Sequence, residues 1–165
     1  MTKLTKSKEL FERSSYRIED SVGYLMARAR SRLAKSVDLE FTPLDITHAQ
    51  GCIVMMLSSG RYATAAELAR ELYIDSAAMT RMVDRLEKRG LIDRMPRGDD
   101  RRVINLRLTD AGRALADALP DRYIAVLKKN FVGFTADEVD TLRTLLRKLL
   151  DASAAAEAAD KQESK

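Results

Sequence analysis

Between Thr64 and Leu108 the spacing of apolar positions changes twice. Ala66, Leu68, Ala69 and Leu72 form a short helical pattern, and Tyr73-Ile74-Asp75 breaks it. Met79, Met82, Val83 and Leu86 then recur at the three- and four-residue steps that give a helix one buried stripe. This spacing predicts a helix-turn-helix. Asp75 or Ser76 is placed to accept the free amides of the second helix, and Gly90, just after Lys88-Arg89, to supply the left-handed residue that ends it. Past Gly90 come Leu91-Ile92-Asp93-Arg94-Met95, a turn-rich run from Pro96 to Arg102, and Val103-Ile104-Asn105-Leu106-Arg107-Leu108, which predict two short strands around a Gly/Asp turn. A helix-turn-helix followed at once by a hairpin is a winged helix.

The flanks are helical. From Tyr16 to about Val37, Ile18, Val22, Leu25, Met26, Ala29 and Leu33 share one stripe. Phe41-Thr42-Pro43 separates this helix from a second, expected from about Pro43 to Ser58, with Leu44, Ile53, Met56 and Leu57 available to a core. Thr109 caps a helix carrying Leu115, Leu119, Tyr123, Ile124, Val126 and Leu127, which Pro120 is expected to kink. Phe131 to Phe134 is a break, and Thr135 with Glu138 makes a capping-box pattern. The last helix presents Val139, Leu142, Leu145, Leu146, Leu149 and Leu150, a stripe lost from Asp151 onward. A winged helix does not need three further amphipathic helices for its own core, so the outer helices read as a dimerisation layer. The expected organisation is an N-terminal helix of that layer in 1–40, a winged helix-turn-helix DNA-binding domain in 41–108, C-terminal dimerisation helices in 109–152 and a frayed tail in 153–165. The fold class is mainly α with a small β-hairpin wing.

Charge turns this architecture toward a polyanion. Arg81 to Arg107 contain nine basic and five acidic residues, a surplus equal to the net charge of +4 for all 165 residues. Burying Met79, Val83 and Leu86 leaves Ser76, Ala77, Thr80, Arg81, Asp84, Arg85 and Lys88 on the outer face: small and hydroxyl residues first, cations after. A helix enters a major groove end-on only if its first turn is slender, and the arginine fork reads guanine edges. An ordinary solvated helix face is the alternative, and the cationic hairpin next to it weighs against that. One cysteine and one histidine exclude an intrachain disulfide and argue against a His/Cys metal cage or a cofactor. No phosphate loop, dinucleotide fingerprint or zinc-protease pattern occurs among the seven glycines, so an enzyme is not expected. The longest uncharged stretch, Ile46 to Gly60 interrupted by polar residues, falls short of the ~20 apolar residues of a membrane span, and a soluble, cytoplasmic protein is expected. Cys52, among Gly51, Ile53, Val54 and Met55, reads as a buried, inert thiol, and His48, on the same face, as a structural histidine.

The run Thr80-Arg81-Met82-Val83-Asp84-Arg85-Leu86-Glu87-Lys88-Arg89-Gly90-Leu91-Ile92, then Asp100-Arg101-Arg102, then Leu108-Thr109-Asp110-Ala111-Gly112 resembles the MarR family of winged-helix transcriptional regulators. Phe41-Thr42-Pro43-Leu44 followed by Gln50 extends the likeness to roughly residues 18–150, with a departure at Gly51, where the family often has a bulky residue. The resemblance implies a two-fold dimer with its recognition helices in successive major grooves of a pseudo-palindrome, repressing by promoter occlusion and released by a small aromatic or phenolic acid. The DNA-binding candidates are Ser76, Ala77, Thr80, Arg81, Arg85, Lys88, Arg97, Arg101 and Arg102, with Asp100 orienting the wing. Tyr24, Arg28 and Arg32 at helical spacing, together with His48 and the family-matched Arg94, are candidates for an anionic aromatic ligand. An architectural DNA-binding protein without ligand control, a thiol-based redox sensor using Cys52, and a helical module meeting an acidic protein partner remain open at this point.

Overall fold

The computed structural model describes residues 12, 13, 15–96 and 104–163. They fall in two compact units, 1–127 and 128–165. The first contains α1 (Val22–Phe41), α2 (His48–Ser58), α3 (Ala65–Glu71), α4 (Ser76–Lys88), the strands β1 (Ile92–Pro96) and β2 (Ile104–Leu108), and most of α5 (Asp110–Asn130). The second holds the end of α5 and α6 (Ala136–Glu163). The hairpin is antiparallel with Ile92 opposite Leu108 and Pro96 opposite Ile104. A single core runs through the first unit. Phe41, Ile53, Leu68, Met79, Leu86, Ile92 and Leu119 are almost wholly removed from water. No helix among the described residues is long and apolar enough to cross a membrane.

The first two helices start later than the apolar pattern suggested. Ile18–Asp20 is a short 3-10 turn, and α1 begins at Val22 because Ser21, extended at φ −70° and ψ 137°, accepts the Tyr24 amide at 3.3 Å. At the far end, Thr42–Leu44 forms another 3-10 turn and Asp45 turns left-handed at φ 52°, so α2 starts at His48 rather than Pro43. Thr47 and Gln50 fix that start as a capping box, with the Gln50 side chain accepting the Thr47 amide at 2.9 Å.

α5 continues through Pro120, which lies inside the helix at an exposed position. One further expectation is corrected. The helix at the C-terminus does not fray at 153. α6 continues to Glu163, since Ala152, Ala154, Ala155, Ala156, Ala158 and Ala159 carry high intrinsic helix propensity even without an apolar stripe. Its start follows the expected box, Thr135 and Glu138 each accepting the other's backbone amide.

Two glycines mark places where backbone comes too close for a side chain. A Cβ on Gly112 would lie 2.0 Å from the Leu91 carbonyl oxygen. One on Gly51 would lie 2.5 Å from Phe41 Cε2 and 3.1 Å from Tyr123 Oη. The Phe41 and Tyr123 rings, edge-to-face at 5.1 Å, thus fill the space a bulkier residue 51 would take. The Gly112 contact is with backbone and cannot be relieved by a rotamer change. Gly112→Ala should therefore lower stability by about 1–3 kcal/mol, measured as a reduced urea midpoint at unchanged m-value; a midpoint equal to the parent's would show that α5 slides away freely.

Candidate nucleic-acid interface

The turn of the helix-turn-helix is built by local hydrogen bonds. Thr64 and Glu67 form a capping box at the start of α3, and Glu67 also accepts the Ala63 amide at 2.8 Å. These bonds hold its carboxyl below the usual carboxylate range. At the other end of α3 the Ile74 amide closes onto the Ala69 carbonyl at 2.9 Å, across Tyr73 at φ 51°. Asp75 then caps α4, its Oδ1 accepting the Ala78 amide at 2.8 Å. Gly90, at φ 67°, ends it. The sequence offered Asp75 or Ser76 as the cap; Asp75 takes the role, leaving Ser76 in the first turn.

Met79, Val83 and Leu86 are buried, while Ser76, Ala77, Thr80, Arg81, Asp84, Arg85 and Lys88 are exposed. The Thr80 hydroxyl donates to the Ser76 carbonyl at 2.8 Å. Among the described residues, Arg81, Arg85 and Lys88 form no ion pair, so their charge faces water. Arg97, Asp100, Arg101 and Arg102 lie outside the described residues.

Two other cations are engaged in holding α4. From β1, Arg94 donates to Asp84 Oδ1 at 2.6 Å and Glu87 Oε2 at 2.5 Å, stapling the hairpin to α4. Arg89 donates to the carbonyls of Leu44, at 3.1 Å, and Asp45, with the Asp45 carboxylate 3.7 Å away. Sequence spacing could not reveal either contact, because Arg94 sits on a strand and Asp45 lies 44 positions before Arg89. The hairpin has a second attachment: Thr64 bridges to Asn105, and the Leu106 amide donates to the Ala63 carbonyl at 2.6 Å.

The ligand candidates divide. Tyr24, Arg28 and Arg32 line one open hollow along α1 with Ser31 and Lys35, and the Arg28 guanidinium stands 5.7 Å from the Tyr24 ring centroid. Arg94 is committed to Asp84 and Glu87, and His48 packs its ring on Tyr123, 5.9 Å between centroids, while its amide donates to Asp38. Neither lines the hollow. Cys52 Sγ lies 3.6 Å from Tyr123 Oη, and burial raises its pKa against the opposing effect of that bond. The thiol is thereby kept protonated and weakly nucleophilic.

The MarR family model matches residues 46–104. The multiple antibiotic resistance protein MarR of Salmonella typhimurium is 34% identical over 128 residues, 77% of this chain and 87% of its own length. The chain belongs to the MarR family. This makes it a winged-helix, DNA-binding regulator of transcription. A MarR mutant from E. coli complexed with operator DNA matches at TM-score 0.72 and 32% identity, over 78% of this chain and 93% of that one. CouR from Rhodococcus jostii RHA1, bound to p-coumaroyl-CoA, matches at TM-score 0.70 and 25% identity, over 82% and 95%.

The His48 environment has a measurable consequence. Burial is the main influence and lowers its pKa from 6.5; Arg30 acts the same way and Asp38 opposes. The folded protein then holds fewer protons here than the unfolded chain. This residue's contribution to stability is fully present above the unfolded value and is lost as pH falls through the lowered folded value. The parent should lose more stability than His48→Gln between about pH 7.5 and about pH 5.5, read from urea midpoints; a difference that stays flat over this range would count against a neutral, half-buried imidazole.

Proposed function

We propose that the protein is a homodimeric, sequence-specific repressor that occludes a pseudo-palindromic operator and is released by a small anionic aromatic ligand. The observation that carries the DNA contact is the division of cations on and around α4. Arg89 and Arg94 are consumed in fixing the helix, while Arg81, Arg85 and Lys88 stand exposed beside the slender Ser76-Ala77 turn. Ser76, Ala77, Thr80 and Arg81 are the base-edge candidates, and Arg85 and Lys88 meet phosphates. Arg97, Arg101 and Arg102 would carry the wing's charge into the minor groove, with Asp100 orienting its tip. The operator-bound E. coli relative supports this reading.

Dimerisation is supported by apolar surface that a single chain leaves in water. Val22, Leu25 and Met26 of α1 are 57%, 51% and 37% exposed. On α6, Leu145 and Leu150 reach 58% and 62%. A second copy covering such stripes gains apolar burial worth roughly 25 cal/mol per Å2. Ligand control is supported by the Tyr24–Arg28 pair, a ring and a fork that would hold an aromatic carboxylate, and by the aromatic acyl thioester bound to CouR.

Binding assays test the DNA reading. Arg81→Ala should lower affinity for a selected operator more than for random duplex, by a discrimination of about 1–3 kcal/mol. Arg102→Ala should weaken both and make the salt dependence shallower by roughly one counterion per half-site. Unchanged salt slopes in the second and intact operator preference in the first would place other residues on the DNA.

A separate assay addresses the ligand. In gel shifts with phenolic and heteroaromatic acids that release the parent from DNA, Arg28→Ala should abolish release while leaving DNA affinity within about threefold. Release that persists in Arg28→Ala and in Arg32→Ala would move the ligand elsewhere.

A further inference from the structure

Tyr73 stands in a backbone conformation made for glycine. The closure of α3 requires a positive φ at the second residue after the helix, and Tyr73 adopts φ 51° so that the Ile74 amide can reach the Ala69 carbonyl. After α2 and α4 the same position is Gly60 and Gly90, at φ 70° and 67°. An L side chain there strains the backbone, most of all a bulky one. The ring recovers little by burial, since Tyr73 is 78% exposed and Ile74 is the residue that turns inward against the core. Folding is therefore served worse by Tyr73 than by glycine. Its location is specific: two residues before Asp75, the cap of α4, at the slender end that carries Ser76 and Ala77.

We infer that Tyr73 is a DNA-contact residue, its phenol donating a hydrogen bond to a phosphodiester oxygen on the wall of the groove that the first turn of α4 enters. The ring lies against the adjoining deoxyribose. The contact rests on the DNA-binding role of α4, and positions that helix without reading bases. A neutral hydroxyl displaces no condensed cation, so its signature differs from that of an arginine or lysine.

The test uses the full chain and two labelled probes: a duplex enriched from a random pool by the parent protein, and the unselected pool. Tyr73→Phe should weaken binding to both by the same factor, about 3–10-fold, with the salt slope unchanged. Tyr73→Gly should bind as weakly or more so, while its thermal midpoint is equal to or above the parent's because the left-handed strain is gone. Binding by both variants within twofold of the parent overturns the inference, as does loss in Tyr73→Gly alone, which would remove the hydroxyl contact. A lower molecular mass of either variant in light scattering would also overturn it, assigning the ring to an interface between copies. Arg81→Ala run in parallel separates the two levels: if it too binds like the parent, the α4 reading fails; if it weakens while the Tyr73 variants do not, only the inference falls.

Discussion

The absence of a side chain at Gly112 lets α5 press against the Leu91 carbonyl, and the placement of α4 and the hairpin depends on this approach. Thr109 completes the seam: its amide donates to the Leu91 carbonyl at 3.2 Å, its hydroxyl to the Gly90 carbonyl at 2.6 Å, and the same oxygen accepts the Gly112 amide at 3.0 Å. The residues that end α4 are thus tied to those that start α5, while the hairpin leaves and returns between them. The end of α4 is anchored by one backbone bond and by one short side chain that bonds on both sides of the seam.

Electrostatics near α4 follows a division of roles. Two arginines are held by partners within the fold, and charges of the same kind one or two turns away are left in solvent. Partly exposed ion pairs such as Arg94 with Asp84 and Glu87 contribute little to global stability, of order 1 kcal/mol or less each. Their effect is geometric, since a bifurcated arginine fixes the angle between hairpin and helix. The exposed cations, screened over about 8–10 Å at ordinary ionic strength, supply attraction rather than alignment.

Much of this organisation was legible along the chain. The 3.6 period of Met79, Val83 and Leu86, the Asp75 cap and Gly90 located α4 closely, because amphipathic spacing and caps are local signals. Helix starts in the first 50 residues were less legible. Pro43 suggested a helix that instead awaits Thr47, since the left-handed turn at Asp45 depends on three-dimensional context. Ala-rich 152–159 kept the helix that the loss of a leucine stripe argued against. The grip of Arg89 on the Leu44 and Asp45 carbonyls, the pairing of Arg94 with α4 and the packing of Tyr123 under Gly51 join residues far apart in sequence. No periodicity encodes them.

The Arg89 grip has a mechanical consequence. It ties α4 to the turn on which α1 ends, and α1, with 20 residues, is a rod about 30 Å long at 1.5 Å per residue. Turned about Phe41, such a rod would be a reduction lever: a swing of several ångströms at its Val22 end would arrive at Thr42 as a shift of a fraction of an ångström. That is the scale on which a single hydrogen bond, such as that from Arg89 to the Leu44 carbonyl, is kept or lost, so a coarse displacement of α1 would reach α4 geared down to the tolerance of that bond.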